Sequence, residues 1–255
     1  LQHRKVDVVS SALDFILPFE KYKITAGAKV SFTNTRNGIN YDTSDPTLVQ
    51  DDYFRYKEQI YALYADYSRE YSERFSMQLG LRMEHTRTTG ISEAKDTEDK
   101  HDYTRLFPTV YLLYSPTDGH ALNFSFSNRI SRPSQNMVNP FPFYQNKYTY
   151  ACGREDLKPS YTYNAELGYT LKNNFNVSAY YSYSDDVFFQ VVDLDAETNV
   201  TSFLWENFMQ THAFGLNNSY TFRTKWLQAY AQHGVSYRRT TSSAATTSPE
   251  EKGWA

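Results

Sequence analysis

An apolar–polar alternation of period two runs through this chain from end to end, and it limits the fold more than any other feature. From Phe75 to Met83 one face carries Phe75, Met77, Leu79, Leu81 and Met83, and the other Ser76, Gln78, Gly80 and Arg82. The pattern returns with Leu122, Phe124, Phe126 and Ile130 against Asn123, Ser125, Ser127 and Arg129. It returns again with Tyr161, Tyr163, Ala165, Leu167 and Tyr169 against Thr162, Asn164, Glu166 and Gly168. Such a period puts successive side chains on opposite faces of extended strands. The polar faces hold Ser, Thr, Asn, Gln and Gly with few charges, which suits an interior filled by water or a plug. A soluble sandwich also alternates, so the faces alone leave both folds open.

The connections separate the two. Strands read from the alternation and its breakers fall at about 6–17, 22–34, 55–68, 74–88, 103–114, 120–131, 159–171, 174–193, 200–222 and 226–240. Tight links at "PFEK", "REYSE", "SPTDG", "KN" and "TK" alternate with long ones at "NTRNGINYDTSDPTLVQDDY", "TTGISEAKDTEDKHD" and the stretch from Asn128 to Thr170, and with a hairpin tip at "DLDAETN". Short turns on one rim and long loops on the other are the pattern of an outer-membrane barrel. Most runs exceed the roughly 9–11 residues a tilted strand needs to cross a bilayer. Tyr111, Tyr114, Tyr220 and Tyr237 fall where the apolar band should end and read as girdle aromatics. The expected fold is all-β: an antiparallel up-and-down transmembrane β-barrel, present in part as roughly ten strands. No helix of consequence is expected, and the stretch from Asn128 to Thr170 fits neither helix nor strand.

Composition agrees. Tyr and Phe contribute 23 and 17 of the 255 residues, and Tyr, with an apolar body and polar tip, suits a boundary between lipid and water. Net charge is −3 with no basic stripe along the chain, so nucleic acid is excluded as a partner. One cysteine, Cys152, rules out a disulfide framework and a cysteine-rich zinc site. No apolar run approaches the roughly 20 residues of a membrane-spanning helix. Mean hydropathy is negative, as it is for barrels that show lipid only alternate residues. The N-terminus reads as the middle of a strand, with no signal-peptide pattern. The six histidines show no metal-ligand spacing, and no GxSxG, P-loop or Rossmann fingerprint occurs. Catalytic residues, metal ligands and cofactors are therefore expected to be none.

"LFPTVYLLYSP", "HALNFSFSNRISRPSQNMVNPF" and "LKPSYTYNAELGYT" together resemble the C-terminal barrel of TonB-dependent outer-membrane receptors, and more closely the outer-membrane β-barrel family of Bacteroidetes type. The elements that carry the resemblance are Arg129, Arg132 and Pro133; Asn139, Pro140 and Phe141; Leu157, Lys158 and Pro159; and Asn164, Glu166, Leu167 and Tyr169. The upstream "LGLRMEHTRTTG" matches a family strand. Ser160 stands where the family often has Glu, and "GREDLKP" where it often has Asn-Pro before Leu-Lys-Pro. Receptors of this type have roughly 22 strands around a plugged lumen. The resemblance thus implies that residues 1–255 are part of a C-terminal barrel domain, a fragment whose plug domain, TonB box and final strands are absent and whose tail "SSAATTSPEEKGWA" is a polar loop. It further implies residence in the cell outer membrane among its lipids. Uptake of a scarce nutrient ligand through TonB would follow, without covalent chemistry, and a surface lipoprotein is a further expected partner.

Candidate ligand contacts are Arg129, Arg132, Phe141, Phe143, Tyr144, Tyr148 and Tyr150. The arginines suit an anionic substrate or the plug, or a salt-bridge network at lumen or rim. The aromatics suit stacking on a sugar, siderophore or peptide above the membrane, or packing that fixes their own loop. Pro133, Pro140, Pro142 and Pro159 favour the latter, because proline holds a shape without a hydrogen-bonded ladder. The acidic run "SEAKDTEDKHD" and the tip at Asp193 and Asp195 read as solvated loop and turn. Two other readings stand beside transport: an outer-membrane protease or lipase, and a structural or adhesive barrel. A soluble open sheet with no activity is a weaker fourth.

Overall fold

A computed structural model describes residues 2–39, 52–93, 96–242 and 250–254. The chain is an antiparallel meander: β1 (Gln2–Pro18), β2 (Tyr22–Ile39), β3 (Asp52–Ser72), β4 (Phe75–Ser92), β5 (Thr97–Tyr114) and β6 (His120–Ser131) come first. After an inserted segment come β9 (Ser160–Leu171), β10 (Phe175–Asp195), β11 (Val200–Arg223), β12 (Gln228–Ser242) and β13 (Glu250–Trp254). The wall runs in the order β1-β2-β3-β4-β5-β6-β9-β10-β11-β12-β13. Among the described residues β1 pairs only with β2 and β13 only with β12, so this length of wall is unclosed.

The alternation becomes two faces. Register places Leu13, Ala28, Leu63, Met83 and Leu106 in one row across β1 to β5. Val110, Phe126, Ala165, Tyr181, Phe214 and Tyr237 form a second row across β5 to β12. Several residues of this outward face are bare: Leu63 is 56% exposed, Leu167 55% and Phe214 53%. A row of exposed aliphatic and aromatic side chains this long needs an apolar solvent. The inward face carries Asp14, Tyr64, Arg82, Thr109, Ser125, Glu166, Ser178 and Asn217. Gly27 lies beneath the Tyr64 ring, and a Cβ there would come within 2.6 Å of it. Gly119 takes φ 79° in the β5–β6 turn, which a side chain would oppose. Tyr111, expected in the girdle, instead pairs with Gln78 and Ser125 on the inward face. Its strand position has the wrong parity for lipid. Tyr114 and Tyr220 do face outward, beside Phe75 and Phe175 respectively.

Two expected long loops are differently built. Of "TTGISEAKDTEDKHD" only residues 93–96 connect strands, because β4 and β5 pair continuously from Phe75↔Tyr114 to Ser92↔Thr97. Most of "NTRNGINYDTSDPTLVQDDY" lies outside the described residues. The tail, expected as a polar loop, contributes β13, paired at Tyr237↔Trp254 through Thr241↔Glu250; residues 243–249 lie outside the described ones. The tip at Asp195 is a turn whose carboxylate accepts from the backbone of Glu197 at 2.9 Å and the hydroxyl of Thr198 at 2.7 Å.

The stretch from Asn128 to Thr170 holds more structure than its composition suggests. A helical turn α1 (Gln135–Val138) is followed by a hairpin of β7 (Phe143–Asn146) and β8 (Thr149–Cys152). β8 then pairs in parallel with β11, Thr149–Cys152 against Thr201–Leu204. The prolines delimit these pieces and do not replace a ladder: Pro133, Pro140, Pro142 and Pro159 all fall between elements.

Candidate functional site: a strapped notch on the inward face

β6 and β9 have 12 residues each, while β3 has 21, β10 21 and β11 24. Two short strands side by side leave a notch in the rim opposite the tight turns. Pro108 marks one side: it has no N–H to donate, and the β5–β6 ladder ends beside it at Thr109↔Ser127. On the other side β10 shifts register between Ser184 and Val187, directly after its last β9 partner at Asp185↔Tyr161. Asp186 there takes φ 51°.

Residues 132–159 fill the notch and fold onto the inward face. Val138 and Leu157 pack with Phe54 of β3 in a cluster flanked by Tyr56, Met137, Phe188 and Trp205. Phe54 is 1% exposed, and Thr86 and Ser92 of β4 are 0% and 1% exposed. Polar contacts tie the segment to both sides. Arg132 donates to Glu84 at 2.5 Å and to Thr86 at 3.2 Å, with Glu58 at 3.8 Å. Glu155 accepts from the Thr97 hydroxyl at 2.9 Å, and its carbonyl lies 3.0 Å from His101. Across the notch, Arg154 pairs with Glu206 at 2.9 Å, and the Asn207 carboxamide brackets the backbone of Lys158 at 2.8 and 2.9 Å. The segment is a strap anchored at two walls.

Electrostatics at the anchors follow from burial and count. Arg132 reaches both carboxylates but sits closer to Glu84 than to Glu58, and Glu84 has a second guanidinium, Arg82, at 2.6 Å. Burial therefore holds the Glu58 carboxyl above its ordinary value, with the neighbouring Glu84 charge adding to the effect and Arg132 opposing it. Residue 58 lies beyond the apolar row, which ends on β3 at Leu63 and Tyr61. Arg154 donates to Asp156 at 2.5 Å and holds that carboxyl below its ordinary value. A cavity of about 90 Å³ lies under the strap, bounded by Tyr56, Glu58, His101, Arg132, Glu155 and Leu157. A larger open recess of about 480 Å³ lies next to it, with Tyr64, Asp66, Arg82 and Arg129 on its walls.

The structure divides the seven candidate residues. Arg132 is an anchor of the strap, and Arg129 is exposed on the recess wall. Phe141 is buried at 4% exposure. Tyr144 and Tyr150 face each other across the β7–β8 hairpin with ring centroids 5.4 Å apart. Phe143 and Tyr148 are 45% and 51% exposed, the latter with the Lys147 ammonium 4.9 Å from its ring. The strap does not stand free above the barrel. Sequence reasoning missed Glu58, Glu84 and Glu206, the wall acids that receive its arginines. They sit on strand positions and carry no local motif.

The family model for "Outer membrane protein beta-barrel family" matches residues 1–254. No curated protein matches the chain. Among solved structures, the copper transporter OprC is similar with TM-score 0.68 and 13% identity, over 95% of this chain and 39% of that one. A mutant of the ferric enterobactin receptor PfeA from Pseudomonas aeruginosa, in complex with enterobactin, gives 0.61 and 13%, over 96% and 40%. The FrpB iron transporter from Neisseria meningitidis gives 0.60 and 12%, over 94% and 36%. The chain thus spans 36–40% of the length of these structures, and the likeness is one of fold.

Proposed function

The chain belongs to the outer membrane protein beta-barrel family, and we propose that its strapped notch is part of the ligand entrance of a TonB-dependent nutrient receptor. Its seat is the cell outer membrane, where the bare outward rows meet lipid. In this reading residues 1–255 belong to the C-terminal barrel of a longer protein whose plug and TonB box lie elsewhere. Support comes from solved barrels of like fold that are a copper transporter, an iron transporter and a ferric enterobactin receptor.

The observation that carries the proposal is the double anchoring of residues 132–159 on the inward face. It narrows the entrance and holds Phe143 and Tyr148 exposed on a fixed hairpin, with Arg129 on the recess beside it. A flat π face and a guanidinium suit an anionic ligand with a planar or sugar group, such as a metal chelate. Phe141, Tyr144, Tyr150 and Arg132 serve by holding the strap in place. The barrel guides and presents; TonB-transmitted force on the plug performs the transfer, and a surface lipoprotein could deliver ligand to the rim. No covalent step is assigned.

Uptake of radiolabelled ferric chelates by cells expressing the complete receptor, with and without a functional TonB, tests this. The expected result is TonB-dependent uptake that falls at least tenfold in a Phe143→Ala/Tyr148→Ala/Arg129→Ala variant inserted at normal levels. Equal uptake in the deletion strain, or no effect of the triple variant, would overturn the assignment of this site.

A further inference from the structure

Above the apolar rows, the outward face of β1 to β5 assembles a cluster of cations that no run of the sequence contains. Register puts Lys5, Arg36 and Arg55 directly opposite one another on three adjacent strands. One step nearer the belt lies Lys57, with Thr89 and Lys100 continuing the same row, and beyond Gln59 stands Arg87. All six cations are exposed. Their outward direction follows from their neighbours: Arg36 alternates with the buried Thr35 and Asn37, and Arg55 and Lys57 flank Tyr56 and follow the buried Phe54.

Among the described residues, three carboxylates on the outward face of these strands already have a cation of this cluster beside them. Asp7 lies 3.8 Å from Lys5, Glu98 2.9 Å from Lys100, and Asp102 2.9 Å from Arg87. Among the described residues, Arg36, Arg55 and Lys57 make no ion pair. Like charges directly opposite on neighbouring strands are destabilising; with Lys5 already beside Asp7, Arg36 and Arg55 face each other as cations that a further anion would relieve. The chain as a whole carries net charge −3, so the cluster runs against its overall balance.

Height identifies the anion. The apolar row of β3 ends at Leu63 and Tyr61, and Tyr61 stacks edge-on with Phe32 at 5.8 Å and lies 6.2 Å from the His85 ring. That aromatic group sits where hydrocarbon gives way to headgroups. Lys57 is four residues further, roughly 13 Å along the strand at about 3.3 Å per residue. A strand tilt of about 40° reduces that to roughly 10 Å above the boundary, within reach of long cationic side chains. The cluster also lies on the rim opposite the tight turns, which in this barrel class is the cell exterior. The geometry points to a binding site for a phosphorylated lipid headgroup of the outer leaflet on the outward face of β1 to β5, centred on Arg36, Arg55 and Lys57. The site is on the opposite face of the wall from the notch, and it does not depend on what the notch transports.

The test uses the complete protein in detergent and in phosphatidylcholine nanodiscs, with diphosphorylated lipid A as the probe and bound lipid counted by native mass spectrometry. Each cation near an anionic headgroup contributes roughly fivefold in affinity. The variant Arg36→Gln/Arg55→Gln/Lys57→Gln is therefore expected to bind lipid A about a hundredfold more weakly. Lys172→Gln/Lys225→Gln, on the tight-turn rim, should match the unaltered protein, and inorganic phosphate should not compete. Should the triple variant fail to insert, the three single variants are each expected to lose about fivefold. Unchanged lipid A binding in the charge variants overturns the site. An equal loss in the Lys172/Lys225 control reduces it to bulk charge, and effective competition by inorganic phosphate makes it a soluble-anion site; either result also overturns it.

Discussion

The wall below the notch and the strap within it belong to one stretch of chain but are stabilised in different ways. In the wall, backbone ladders hold neighbouring strands together, while outward side chains such as Leu81 meet lipid and inward ones such as Asn217 meet the lumen. No side chain there needs to be buried by another. At the notch, the inward faces of β3 and β4 are covered, and Phe54, Val138 and Leu157 form a core like that of a small soluble domain. A barrel wall can thus dispense with a core, whereas a fixed loop on its rim cannot. Substitutions that suit one region should harm the other.

The largest effect is expected from Phe54→Ala. Truncating a fully buried phenylalanine costs about 3–5 kcal/mol, and here the loss falls on strap docking, because the ladder of β3 with β2 and β4 is backbone. Limited proteolysis should cut within residues 132–159 far faster than in the unaltered protein, while resistance of the folded barrel to detergent denaturation is unchanged. Loss of both would show that strap and wall fold as one unit.

Leu81→Arg reverses the pattern. Leu81 is 49% exposed on the outward row, beside Ala65 and Pro108. An arginine near the bilayer midplane costs about 2–4 kcal/mol. Chemical denaturation in vesicles should report that loss, with proteolysis of the strap in the folded fraction unaltered. An equally stable variant would mean that this row does not face lipid.

The wall was legible in the sequence because its two solvents act on every second residue. Strands such as 74–88 and 103–114 could be read from parity and its breakers, and the turns from "SPTDG" and "KN". The strap was not legible, since its contacts join residues far apart: Arg132 to Glu84, Arg154 to Glu206, Leu157 to Phe54. Its helical turn and hairpin are only four residues per element, too short for periodicity to show. The same reason hides the outward cations, whose neighbours are set by register between β1, β2 and β3. Tyr111 shows the opposite failure, in which the right residue type at the rim lies on the wrong parity.

A gain is expected from Gln135→Leu. The Gln135 side chain is 4% exposed, and neither its oxygen nor its nitrogen has a hydrogen-bond partner among the described residues. Leaving such a group unsatisfied costs about 1–3 kcal/mol, and an apolar residue of similar size removes that cost. Hydrogen exchange of the α1 and β8 amides should slow by about tenfold, which corresponds to roughly 1.4 kcal/mol. The wall ladders, which the substitution does not touch, should exchange as before; faster exchange at α1 would show that the carboxamide is needed where it lies.

The smallest effect separates the strap's two anchors by pH. Burial holds the Glu58 pKa above its ordinary 4.5. Its contribution to docking is therefore full below about pH 4.5 and is lost as pH rises through the folded value. Asp156 works in the opposite sense: Arg154 holds its pKa below the ordinary 3.8, so its contribution is present above that value and is lost as pH falls through the folded one. Docking of the strap should therefore be tightest in mild acid and should loosen on both sides. Glu58→Gln removes the upper limb alone, because a carboxamide can sit under Arg132 without ionising while Glu84 keeps the guanidinium. Protease protection of residues 132–159 should then be greater than in the unaltered protein at neutral pH and equal to it near about pH 4. A decline toward neutral pH that persists in Glu58→Gln would place the titrating group elsewhere. Denaturation of the wall, followed over the same range, supplies the reference against which strap docking is read.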